Sequence, residues 1–264
     1  MTRAFPWAQP LDLGFHEIAD STTFGQHDRT MLTVSYDGAM RRWSIRDTSR
    51  PTLLDSGWFE KVPDDADIDA WPNVLAVSPN GHTMALARDH GVGVELWDIT
   101  DLHHAKRLGT LAAKSNSVYT TLAFSPNGRV LAAGNQLTSW LWDVSDPRHA
   151  TLLHQFPKGT VGWVDQLAFS PDGRLLASLY AGEGQVTVWD VRDPRNPTHT
   201  KRTKPLNGSE YGQTMAFSPK GHLLAVGSDR GKIRFWSVSL RHSHPSRNRR
   251  HLHRSRFNPL LQSG

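Results

Sequence analysis

The stretch Asp165–Val191, DQLAFSPDGRLLASLYAGEGQVTVWDV, decides how the rest of the chain is read. It opens with a short apolar run ending at Phe169, turns through Ser170-Pro171-Asp172-Gly173 and continues in a second apolar run from Leu175. Glycines at 182 and 184 then lead into a third run that closes on Trp189-Asp190. Pro171 sets φ near about −65° at the second position of a type I turn, Asp172 bonds back to its own backbone, and Gly173 takes the left-handed conformation that other residues resist. Gln185 to Trp189 alternate polar and apolar, the period of a strand with one face on a core. The order predicts a three-stranded antiparallel meander.

The unit recurs along the chain. Ser-Pro-x-Gly begins at Ser78, Ser125, Ser170 and Ser218, with starts 47, 45 and 48 residues apart, and a strand-ending tryptophan keeps the same beat at Trp43, Trp97, Trp142, Trp189 and Trp236. Five tryptophans against four turns leave one turn to find. Phe24-Gly25-Gln26-His27-Asp28 fills its place, ahead of Met31 to Val34, Tyr36-Asp37-Gly38 and Trp43. Past each of the first four tryptophans a further segment reads as an outer strand: Pro51 to Leu54, Ala105 to Thr110, Thr151 to His154 and Thr198 to Thr203. Four strands per copy make a propeller blade, and a period in this range marks a repeat architecture. The expected fold is therefore all-β, a β-propeller of about five four-stranded antiparallel blades, with an incomplete or open ring among the outcomes. The copies lie at approximately 14–55, 70–111, 117–156, 162–203 and 210–240, the last without an outer strand of its own.

This period, with its Asp-Gly-like hairpins and Trp-Asp endings, resembles the WD-repeat (WD40-type) β-propeller family over roughly residues 14 to 240. Trp97-Asp98, Trp142-Asp143 and Trp189-Asp190 match the signature dipeptide, whereas Trp43-Ser44 and Trp236-Ser237 keep only the tryptophan. The hairpin acid appears as Asp37, Asp89 and Asp229, with Asn135 and Glu183 in the other copies. Family members usually carry a Gly-His pair upstream that joins a hydrogen-bonded network with the tryptophan; none of the five copies has it. The linkers Asp143-Val144-Ser145-Asp146-Pro147 and Asp190-Val191-Arg192-Asp193-Pro194 resemble those of bacterial members. The resemblance implies a non-catalytic, protein-binding scaffold, with the five tryptophans as structural blade residues.

Composition narrows the class. The chain has 264 residues, 38% of them hydrophobic, with ten tryptophans and no cysteine, which excludes disulfides and thiolate chemistry. No apolar run is long enough to span a bilayer, and the N-terminal residues carry no apolar core of a secretion signal, so a soluble, cytoplasmic protein without membrane contact is expected. The net charge of +5 is local. Residues 241–264 hold six arginines and no acid, leaving 24 basic against 25 acidic residues elsewhere, a balance of −1. This basic tail is expected to be disordered.

Ring closure is open at this level. Residues 1–13, through Gln9 to Leu13, supply the missing outer strand of the fifth blade in one reading. In another the arc completes itself through a further chain, so that self-association follows from an open ring. In a third the chain is a piece of a longer propeller.

The sequence offers little for catalysis. Gly227 to Lys232 is one residue short of a phosphate loop and lacks the following Ser or Thr. Asp65, Asp67 and Asp69 alternate as in a calcium loop, but Ala70 and Ala76 stand where glycine and glutamate are needed, so the acidic insertion Asp55 to Asp69 reads as a solvated loop. His242-x-His244 and His251-x-His253 have the spacing to share a metal ion, and Arg247, Arg249, Arg250, Arg254 and Arg256 the charge to neutralise phosphates. The bland reading of both is a charged tail. No catalytic residue, cofactor or metal site is assigned, and nucleic-acid association through the tail stands as the alternative function. The candidate partner-binding residues are aromatic. Trp71, Trp163 and Tyr211 lie six positions before the last residue of their innermost strands and Tyr119 five before, where the chain enters the channel mouth. Aromatic rings exposed there suit a protein partner; the competing reading packs each against the next blade.

Overall fold

Strands form where apolar residues alternate or run together, and they stop at the Ser-Pro-x-Gly turns, whose glycines Gly81, Gly128, Gly173 and Gly221 all have φ between 70° and 74°. A side chain at those positions would strain the backbone, so the turn sequence fixes where each hairpin reverses. The structure, a computed structural model, describes residues 19–24, 29–35, 38–58, 72–88, 93–111, 118–157, 164–180, 185–203 and 211–238. Residues 1–18 and 239–264, which include the proposed closing strand and the basic tail, lie outside them.

Five antiparallel meanders follow one another along the chain. The first is β1 (Ala19–Phe24), β2 (Thr30–Ser35), β3 (Ala39–Ser44) and β4 (Thr52–Trp58); the second is β5 (Pro72–Val77), β6 (Thr83–Arg88), β7 (Val94–Asp98) and β8 (Lys106–Leu111). The third is β9 (Tyr119–Phe124), β10 (Val130–Asn135), β11 (Ser139–Asp143) and β12 (Thr151–Gln155), and the fourth β13 (Val164–Phe169), β14 (Leu175–Tyr180), β15 (Gln185–Asp190) and β16 (Thr198–Arg202). The fifth has three strands: β17 (Gly212–Phe217), β18 (Leu223–Ser228) and β19 (Ile233–Ser237). The first strands of the sheets stand side by side in chain order, β1 next to β5, β5 to β9, β9 to β13 and β13 to β17.

The copies agree in their irregularities as well as in strand order. Each of the four outer-strand ladders shifts register immediately before the blade tryptophan, between Arg42 and Trp43, Leu96 and Trp97, Leu141 and Trp142, and Val188 and Trp189. A bulge of this kind re-aims a side chain, here the indole. The first copy shows it although it lacks Ser-Pro-x-Gly.

Burial occurs between sheets. One core joins the first and second sheets through Leu32, Val34, Met40, Met84, Leu86 and Trp97, and another the second and third through Leu96, Leu122, Leu131 and Trp142. A third links the third and fourth through Leu141, Phe156, Leu167, Leu176 and Trp189, and the last the fourth and fifth through Leu179, Val188, Met215, Leu224 and Trp236. From the second blade onward, each tryptophan seals the core shared with the blade before it. Five sheets are thus held by four cores, and among the described residues none joins the fifth sheet to the first. The described residues form an open β-propeller.

The first two blades carry an extra fastening. Read from sequence, Asp55 to Asp69 is a solvated loop; in the structure β4 continues to Trp58, with Asp55 paired across from Arg42. The extension holds because its side chains reach the next blade. Asp55 Oδ1 lies 3.1 Å from His103 Nε2, Arg42 Nη2 donates to the Ile99 carbonyl at 2.8 Å, and Gly57 sits so close to a single 3-10 turn (Leu102–His104) that a Cβ there would lie 1.7 Å from the Leu102 carbonyl oxygen. Residues 59–71, the rest of the acidic insertion, are outside the described set.

Because Trp142 is buried between two blades and Trp236 is only half-buried at the end of the arc, their truncations should differ. Trp142→Ala is expected to cost about 3–5 kcal/mol in urea unfolding, the usual cost of emptying a buried aromatic site, and Trp236→Ala clearly less. Equal losses would contradict the open arrangement.

Candidate functional site

The turn sequences use their polar atoms on themselves. Ser78 Oγ donates to Asn80 Oδ1 at 2.6 Å and accepts from the Thr83 N–H at 2.9 Å, while Asn80 Oδ1 also accepts from the His82 N–H. Ser125 with Asn127, and Ser170 with Asp172, repeat the same cage. In the fifth copy Lys220 replaces the acceptor. Ser218 Oγ still takes the Leu223 N–H at 3.1 Å, but a lysine has no acceptor to offer.

Successive turns also stack. A Cβ at Gly128 would stand 3.7 Å from Pro79 Cδ, at Gly173 3.5 Å from Pro126 Cδ, and at Gly221 3.5 Å from Pro171 Cδ, so each proline lies over the glycine of the following blade. At the channel, polar side chains cross between neighbouring inner strands. The Leu167 N–H donates to Thr121 Oγ1 at 3.1 Å, the Met215 N–H to Gln166 Oε1 at 2.6 Å, and Thr120 Oγ1 to the Val164 carbonyl.

The post-tryptophan linkers are built on aspartates. Asp98, Asp143 and Asp190 each accept from the backbone two residues on, at Thr100, Ser145 and Arg192. Asp190 is further gripped by the Arg192 guanidinium, with Nη2 at 2.6 Å and Nε at 3.0 Å. All three carboxyls are held below their ordinary value: Asp98 chiefly by its side-chain bond with Thr100, Asp143 by the Ser145 backbone N–H, and Asp190 by Arg192. Among the described residues no group of three or more His, Asp or Glu side chains is placed to hold a metal ion, and no helix is long and apolar enough to cross a membrane.

The blade tryptophans find different partners. Trp43 Nε1 donates to Thr33 Oγ1 at 3.1 Å and Trp97 Nε1 to Glu95 Oε2 at 2.9 Å, while the Trp189 ring leans on Phe156 and His199 with centroids 4.8 and 5.4 Å away. The Trp43–Thr33 bond is a contact that the sequence reading missed; the signal was a hydroxyl on the second strand, two residues past the partner of the tryptophan. Ser178 occupies the same position in the fourth copy and is buried with its hydroxyl unpaired.

The candidate aromatic face divides. Tyr119 is 2% exposed, inside the core between the second and third blades, with its ring 5.8 Å from that of Trp140. This corrects its placement on an exposed rim: it is the first residue of β9, within the ladder opposite Asn135, so its ring enters the core. Tyr211 precedes β17 and is 50% exposed, its N–H donating to Asp229 Oδ1 at 3.0 Å and its carbonyl accepting from the Asp229 N–H at 3.0 Å. Leu137, on the β10–β11 hairpin at the same end of the sheets, is also half exposed. Trp71 and Trp163 lie outside the described residues.

Stacked antiparallel blades, inner strands side by side and a tryptophan closing each inter-blade core define a propeller-type repeat protein. Three stretches, 105–143, 150–190 and 202–237, match the WD40 family model, described as WD domain, G-beta repeat. These three stretches are similar to WD repeats. Each matched stretch begins close to the outer strand of one blade and ends one residue past the tryptophan of the next, so the sequence repeat straddles two sheets. A comparison with curated proteins found no match.

Two measurements test this polar framework. Lys220→Asn should restore the cage around Ser218 and stabilise the protein by roughly 0.5–1.5 kcal/mol, the net worth of a typical hydrogen bond; an unchanged or lowered melting temperature would contradict the cage. The depressed carboxyls set the acid limit. Their folded values lie below their unfolded ones, so their stabilisation is complete above about pH 4 and is lost as pH falls through the folded values. The melting temperature should hold between neutrality and about pH 5 and drop below about pH 4, less steeply in an Asp143→Asn/Asp190→Asn double variant.

Proposed function

We propose that the protein is a non-catalytic platform for protein–protein interaction. WD repeats generally mediate such contacts, and what this chain does with its polar groups supports the same reading. The serine, asparagine and aspartate side chains of the turns and linkers are spent on their own loops and those of Thr121 and Gln166 on inter-blade bonds, while the hairpin end of the sheets leaves Tyr211 and Leu137 open. That exposure is the observation that carries the proposal. A tyrosine held by its own backbone to Asp229 is pre-positioned, and aromatic anchors on rigid elements supply much of the energy of protein interfaces. The inner strand of the second sheet is apolar from Val74 to Val77, and the described inner strands hold no histidine and only Asp20 and Asp165 as acids, no row from which to build a reaction centre.

The test is affinity capture from the cell of origin with quantitative mass spectrometry, comparing the wild-type chain with Tyr211→Ala. Because Tyr211 is half exposed, the variant should melt like the wild type and lose, by about tenfold or more, a protein that the wild type retains. A variant that keeps the whole captured set would refute the assignment of this face.

A further inference from the structure

The two ends of the arc expose the two halves of a blade-to-blade contact. In the fourth blade Leu175, Val186 and Val188 are buried under the fifth, against Met215, Phe217 and Leu224. Register makes Leu223, Ile233 and Phe235 their counterparts in the fifth blade: Ala225 pairs with Phe235 as Ala177 does with Val188, and Gly227 pairs with Ile233 as Leu179 does with Val186. Among the described residues no sheet covers them. Leu223 is 40% exposed, Ile233 63% and Phe235 51%.

The opposite half lies on the first blade. Phe24 and Met31 pair with each other as Phe217 does with Leu224, Phe169 with Leu176 and Phe124 with Leu131. Those later residues pack into cores, and Leu131, Leu176 and Leu224 are fully buried. In the first blade Phe24 is 61% exposed, with Thr22 exposed beside it and Met31 only half-buried. Trp43 in the same sheet is buried, so the exposed side chains of this face are those of its inner half.

We propose that the protein self-assembles head to tail, the fifth-blade face of one copy (Leu223, Ile233, Phe235) packing on the first-blade face of a second (Thr22, Phe24, Met31). The contact continues the interface that the chain already makes four times within itself, with apolar side chains at the same register positions except Thr22, which stands where Leu122, Leu167 and Met215 stand in later blades. The surplus faces are complementary to each other, and an apolar sheet face of this kind is a surface that soluble chains cover. The turn ladder runs the same way: Pro79, Pro126 and Pro171 each lie over the glycine of the next blade, leaving Pro219 as the terminal proline of the series. A head-to-tail contact is heterologous, so it grows into longer assemblies unless its rotation closes a ring. This inference uses the terminal faces and is independent of partner binding at the hairpin end.

Three variants of the whole chain test it by sedimentation velocity over a range of concentrations. Wild type should form species that grow with concentration. Phe235→Asp and Phe24→Asp, both at exposed positions, should fold and melt like wild type and each weaken association at least about tenfold. Mixed together they should regain association but stop at two chains, because each contributes one intact face. Ile233→Lys should behave as Phe235→Asp does. A wild type that stays monomeric at all concentrations, a Phe24→Asp variant that associates as well as wild type, or a mixture that remains monomeric would each overturn the proposal, the second by pointing to a fifth-blade-to-fifth-blade contact instead.

Discussion

Everything in this protein depends on one sheet lying face to face with the next. A four-stranded meander of about forty residues has two faces and no interior, so it cannot bury its own apolar side chains, and conformational entropy would win against it in isolation. Stacking changes the balance. Each fully buried leucine or valine contributes roughly 1.5–3 kcal/mol relative to exposure, and Leu131, Leu141, Leu176 and Leu224 are buried only because a neighbouring blade stands over them. Hydrogen bonds refine this packing. Thr121, Gln166 and Arg42 each satisfy backbone groups of an adjacent blade, fixing how far one sheet slides over the next.

Much of the fold was legible in the residues because turns and strand periods are local. Ser-Pro-x-Gly needs a glycine at positive φ, and the four turn glycines are where the sequence put them. Phe24 and Trp43 were enough to recover the first blade, whose turn motif is absent. The blade tryptophans could be placed because they keep the same beat as the turns, and the ladder shifts register next to them in each of the four-stranded sheets. The extension of β4 to Trp58 was not legible: acidic residues after Leu54 read as a loop, and only contact with His103 and the Leu102 carbonyl, 45 or more positions away, makes a strand of them.

The candidate site was less legible for the same reason. Counting back from strand ends found Tyr119 and Tyr211 at nearly equivalent positions, yet one enters a core and the other faces solvent. The difference is a single residue in the count: Tyr119 stands in the β9 ladder opposite Asn135, as Gly212 stands in the β17 ladder opposite Ser228, while Tyr211 lies one residue ahead of β17. A period of two turns one residue into the whole distinction between inside and outside. Which faces lie at the ends of the arc was hidden too. Leu223, Ile233 and Phe235 look as core-forming in sequence as Leu175, Val186 and Val188, and only the absence of a sixth sheet over them among the described residues separates the two sets.

If stability is passed from blade to blade, it should fade toward the ends of the arc. Native-state amide hydrogen exchange, read strand by strand at a protein concentration low enough to keep the chain monomeric, measures this directly, because opening free energies report how many neighbours hold each unit. Amides of β9 to β11 and β13 to β15, flanked on both sides, should exchange slowest, with those of β17 to β19 the fastest among the sheets. Equal protection across all five sheets would mean that the ring closes and unfolds as one unit, and would contradict the account.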